Sequence, residues 1–81
     1  MTIPHRAELV FVTDHADVVS KTLSPELAER IPRTSVSVRA GQGEVVIAVE
    51  AHDLASLRAA LNSYIRWSNL ADETAEEVRD S

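Results

Sequence analysis

The sequence predicts an α+β fold in the order β-α-β-β-α, with a three-stranded antiparallel sheet carrying two helices on one face. Three observations lead there. Residues 5–13 and 33–51 alternate side chains with the period of two that a strand imposes. Gly41-Gln42-Gly43 interrupts the second of these stretches where a hairpin has to turn. Residues 53–70, DLASLRAALNSYIRWSNL, instead repeat their apolar side chains with the period of a helix.

In the first strand, HRAELVFVT, Ala7, Leu9 and Phe11 form an apolar face. Val10 and Val12 share the other face with Glu8. A strand with apolar residues on both faces is usually central or covered by another subunit. Thr13 or Asp14 is then placed to cap a helix from about residue 14 to 23, with Ala16, Val19, Leu23 and Leu27 at helical spacing. Ser24-Pro25-Glu26 restarts a turn, since proline is favoured at the first helical position. Ile31-Pro32 ends it, because proline disfavours helix in the residue before it.

The hairpin follows. Val36 and Val38 face one way on residues 33–40, and Ser35, Ser37 and Arg39 the other. On the return strand Val45, Ile47, Val49 and Ala51 point inward, and Val46, Ala48 and Glu50 outward. A right-handed crossover between the first two strands puts the third between them, giving the sheet order first, third, second. The result is a ferredoxin-like split βαβ without its fourth strand. It leaves the first strand as an open edge and one sheet face bare.

Asp53 is positioned to cap the last helix. Leu54, Leu57, Leu61, Tyr64, Ile65 and Ser68 form the stripe expected to face the core. Beside it run Ala60, Trp67, Ala71 and Val78; Arg58, Asn62, Arg66 and Asn69 occupy the opposite flank. With no Pro or Gly to stop it, this helix is expected to reach about Val78, a length of about 40 Å. That exceeds what so small a domain covers: either the remaining flanks are an ordinary solvated back, or one of them receives helices from another chain.

Size bounds the rest. Eighty-one residues suit a single domain, with a compact part at about 5–71 and an acidic extension at 72–81. Such a chain buries only about 60% of its extended surface. The absence of cysteine removes disulfides and thiolate metal sites as reinforcement, which leaves oligomerisation. The net charge is -5, and the last ten residues hold five acids against one Arg. The remainder is nearly neutral, unlike the basic face of an autonomous nucleic-acid binder. Seven of the eight basic residues are Arg, a Lys-poor balance that fits a high-salt cytoplasm. The N-terminus lacks the apolar run and cleavage site of a signal peptide, and no segment has the length of a membrane span. A soluble, cytoplasmic protein is expected.

No catalytic constellation stands out. His5, His15 and His52 fall at element ends, with no pair spaced for one helical face. Ser24, Ser56 and Ser63 lack a partnered base. No cofactor or metal is expected. Arg30, Arg33 and Arg39 are the candidates for RNA contact, beside a larger partner.

Leu23-Ser24-Pro25-Glu26 and Asp53 with Leu57-Arg58-Ala59-Ala60-Leu61-Asn62-Ser63 and Arg66 carry a resemblance. Over about residues 5 to 70 the chain resembles the small dimerisation subunit of the KEOPS (EKC) complex, the cancer/testis antigen-like family, in its archaeal type. The resemblance implies a non-catalytic homodimer within an assembly that makes threonylcarbamoyladenosine in transfer RNA. The chemistry would belong to the catalytic threonylcarbamoyl transferase, and each protomer would pack its helices against helices of one transferase. Ala60, Tyr64, Trp67 and Ala71 are the expected partner-facing residues, with Leu23 and Leu27 as lesser candidates. Arg58 and Asn62 match the family pattern and are added as contacts. The homodimer is expected on Leu9, Val10, Phe11 and Val12 of the first strand and on Val46 and Ala48 of the bare face. The competing readings are a small nucleic-acid-binding module and a dimeric ligand-binding regulatory domain.

Overall fold

The computed structural model of the protein describes residues 5–23 and 33–80, with side chains as far as Glu76. Its elements are β1 (His5–Val12), α1 (Ala16–Thr22), β2 (Thr34–Ala40), β3 (Glu44–Ala51) and α2 (Leu54–Asp80). The strands lie in the order β1-β3-β2, all pairs antiparallel. The architecture is the truncated ferredoxin-like fold that the alternation and the hairpin predict. The turn at Ser24-Pro25-Glu26 and the stop at Ile31-Pro32 lie outside the described residues.

The register explains the two faces. His5 stands opposite Ala51 and Val12 opposite Glu44, while Val38 stands opposite Ile47 on the far side of β3. Val45, Ile47, Val49 and Ala51 therefore share one face with Ala7, Leu9, Phe11, Val36 and Val38. This face meets Val19 and Leu23 from the α1 side and Leu57, Ala60 and Tyr64 from α2. The hairpin closes through the Gly41 amide, which donates to the Glu44 carbonyl at 2.8 Å. Gly43 has φ 74°, a left-handed backbone that glycine adopts without steric cost.

α2 starts where Asp53 caps it: its carboxylate accepts from the Ser56 amide at 2.7 Å. α1 is capped differently from expectation. Neither Thr13 nor Asp14 takes the cap position, which belongs to His15 and lacks a side-chain cap bond. Thr13 instead sits two residues out and accepts from the His15 amide at 2.9 Å, a Ser/Thr-type turn.

The core stripe of α2 also differs from the expected one. Leu57, Tyr64 and Ser68 are buried, but Leu54 and Ile65 are exposed, at 49% and 43%. Ala60, Ala71 and Ala75 are buried in their place. At 100° per residue the buried line is turned by roughly 45° toward the alanines. Small side chains let the helix backbone approach the sheet and α1 closely, and that proximity outweighs the larger area of Leu54 and Ile65. Packing also continues beyond the compact limit expected near residue 71, since Ala75 is buried and Asp72 accepts a hydrogen bond from the Thr13 hydroxyl.

Candidate protein-binding surfaces

Two surfaces of the described residues are apolar and uncovered. The first is a groove of about 390 Å³ between α1 and the C-terminal half of α2. Val18, Thr22 and Leu23 form one wall; Trp67, Leu70, Ala71, Thr74 and Ala75 form the other. Local spacing produces it. Val18 and Thr22 lie four apart on α1, and Leu70 and Thr74 four apart on α2, so each pair forms a short ridge. Leu70 is 60% exposed, and Val18 is exposed opposite it. Trp67 is half-buried, its ring packed edge to face on Tyr64.

The partner-facing candidates separate on this geometry. Trp67 and Ala71 line the groove. Ala60 and Tyr64 do not reach any surface, because both are fully buried in the protein's own core. The alanine spacing that suggested an outer flank is the spacing of the inner face. Arg58 and Asn62 are exposed, but neither lines the groove. Leu23 is fully buried at the groove's floor, and Leu27 is not among the described residues. Val18, Thr22, Leu70, Thr74 and Ala75 complete the groove without having been singled out from sequence. The i, i+4 pairs were the available signal, masked at Thr74 and Ala75 by the acidic residues around them.

The second surface is the open edge and outer face of the sheet. β1 is an edge strand, and no described element covers the face opposite the helices. Val12 is 79% exposed and Val10 49%. Val46 lies on the same face but is buried, flanked across the strands by Val10 and Arg39. Ala48 is half-buried beside it, and polar residues bound the patch, with Arg6 opposite Glu50 and Ser35 beyond. Leu9 and Phe11 differ from the expectation that they join this surface: their side chains pack against the core on the other face. Only the β1 backbone brings them to the edge.

Arg33 and Arg39 do not gather. Arg33 precedes β2 and Arg39 lies six residues along, which separates them by about 20 Å on an extended strand. Arg33 reaches toward Asp53 at 4.0 Å, an exposed pair of little energetic weight. It also has φ 59°, while its carbonyl accepts from the His52 amide at 3.1 Å. Arg30 is outside the described residues.

The Ser56 amide, then the Ser56 hydroxyl, hold the Asp53 carboxyl below its ordinary 3.8; Arg33 and His5 add to this and desolvation opposes it. Burial pushes the Tyr64 phenol above its ordinary 10.0. Among the described residues no group of three or more acidic or histidine side chains is placed to hold a metal, and no helix is long and apolar enough to cross a membrane.

A small α+β domain with an uncovered sheet edge and an apolar interhelical groove has the form of a protein-binding subunit, since large uncovered apolar surfaces mark interaction sites. The chain belongs to the Pcc1 family: the family model described as "Transcription factor Pcc1" matches residues 4–76. Its role is that of a non-catalytic dimerisation and assembly subunit of KEOPS-type complexes, which modify transfer RNA. No curated protein matches the chain closely enough to be counted as a relative.

Proposed function

We propose that this protein joins two copies of the catalytic threonylcarbamoyl transferase, each held in the α1–α2 groove of one protomer of a homodimer formed through β1 and the outer sheet face. The groove is the observation that carries this reading. It presents Trp67 as a rigid anchor, between the exposed ridges of Val18 and Leu70. Helix-in-groove recognition uses such a surface, with one aromatic anchor and small residues that admit a neighbouring backbone. The dimer assignment rests on β1, whose unpaired edge carries Val10 and Val12 outward. Pairing of two such edges would satisfy the open backbone groups and give a continuous six-stranded sheet.

Both surfaces lie on one protomer without overlapping, as a bridging subunit requires. Work in the cytoplasm on transfer RNA follows from membership of the complex and needs no RNA contact by this chain. Light-scattering mass on a sizing column tests the reading, for the protein alone and mixed with the transferase of the same organism. A dimer alone and a heavier joint peak with two transferases are expected. A monomer, or two unshifted peaks in the mixture, rejects it.

A further inference from the structure

α1 is a short helix in an exposed place. It has seven residues and no side-chain cap at its first turn. A helix of two turns is marginal on its own, so its position has to come from tertiary ties. Apolar ties come from Ala16, Val19 and Leu23. The polar tie is Thr13. This buried threonine donates its amide to the Gly43 carbonyl at 3.0 Å and accepts from the His15 amide through Oγ1. Its hydroxyl proton goes to the Asp72 carboxylate, 59 residues away in sequence.

One residue thus joins the hairpin turn, through its amide, to the entry to α1 and the distal half of α2, through its hydroxyl. Asp72 follows Ala71, and Val18 is five residues beyond Thr13, so both groove walls connect directly to this bond. Neither Thr13 nor Asp72 lines the groove itself.

We propose that the Thr13–Asp72 hydrogen bond is a positioning latch that fixes the spacing of α1 and α2, and so keeps the groove open to a partner helix. This rests on the docking role of the groove argued above. A bond from hydroxyl to carboxylate is charge-assisted, and here it is partly shielded, since Thr13 is buried and Asp72 half-buried. Thr13 and Asp72 are positioning residues, acting through Val18 and Leu70.

The test uses Asp72→Ala, Thr13→Val, the double variant and Thr13→Ser. Amide hydrogen exchange is measured over residues 70–76 of the free dimer, and affinity for the transferase is measured separately. Loss of the bond should speed exchange and weaken docking by about tenfold, the scale of one buried hydrogen bond. Dimer mass should be unchanged and Thr13→Ser should restore both readouts. The double variant should lose less than the product of the single losses, since the two residues act through one bond. Unchanged exchange in Asp72→Ala overturns the latch. So does faster exchange with undiminished affinity, which would leave the bond structural but without effect on the groove. Failure of the unaltered protein to bind the transferase rejects the docking reading instead, and exchange in the free protein then judges the latch by itself.

Discussion

Tyr64 and Trp67 meet edge to face, with ring centroids 5.1 Å apart and ring planes at 74°. Tyr64 is sealed in the core while Trp67 looks into the groove, so one aromatic pair links the two. This pairing predicts opposite phenotypes. Trp67→Glu should leave a folded dimer of somewhat lower melting temperature, with transferase binding abolished. Circular dichroism and the mixed sizing run check this; an unfolded variant would assign Trp67 to the core instead. Tyr64→Ala should cost about 3–5 kcal/mol, the usual range for emptying a buried aromatic site.

A finer prediction concerns the Tyr64 hydroxyl, which is buried with no hydrogen-bond partner among the described residues. An unsatisfied buried hydroxyl costs about 1–3 kcal/mol. Tyr64→Phe keeps the ring and removes that cost. It should raise stability in denaturant unfolding by about 1 kcal/mol. A loss of similar size would mean that the hydroxyl has a partner, such as an internal water.

The same phenol sets an alkaline limit. Because burial raises its pKa, the folded state keeps the proton when the unfolded chain has lost it. Its contribution is fully present below the ordinary 10.0 and declines as pH rises through and beyond that value. Phenolate absorbance should therefore appear together with unfolding at high pH, and Tyr64→Phe should remove that dependence.

Asp53 works with the opposite sign. Its carboxyl is held below 3.8 mainly by the Ser56 amide, so its contribution is present above that value and lost as pH falls through the lower folded one. Asp53→Ala should lower the melting temperature at neutral pH. The gap between variant and unaltered protein should close on acidification below 3.8. A gap that persists there would mean that Asp53 acts through something other than its charge.

The fold was legible in the sequence because each element carried a local signal. Val36 and Val38 against Ser35 and Ser37 identify β2, and Asp53 identifies the start of α2. The rotation of α2 was less legible. The largest side chains define one stripe, yet Ala60 and Ala71 permit the closest approach and take the core. Thr13 has the position of a local cap, and nothing local points to Asp72, since a bond spanning 59 residues leaves no periodic trace. The edge position of β1 follows from the crossover rule and the two faces of the strand from its alternation; an edge interface drawn along the whole of residues 9–12 takes in Leu9 and Phe11, whose side chains the core face claims.

The two outward valines of β1 give the sharpest test of the dimer. Val10 and Val12 are exposed on β1 and share no core contact, so charging them should leave the protomer's fold nearly intact. Val10→Asp with Val12→Asp should then bring like charges and desolvation to any pairing of two β1 edges, and inward or edge charges are an established way to block such pairing. The expected product is a folded monomer that still binds one transferase through its groove, with a light-scattering mass of one copy of each. Were the double variant to remain dimeric, the interface would have to avoid both side chains, which leaves the β2 edge with Ser35, Ser37 and Arg39. Were it to lose the transferase as well, the groove and the dimer would not be independent surfaces, and the bridging arrangement would need the second protomer to complete each docking site.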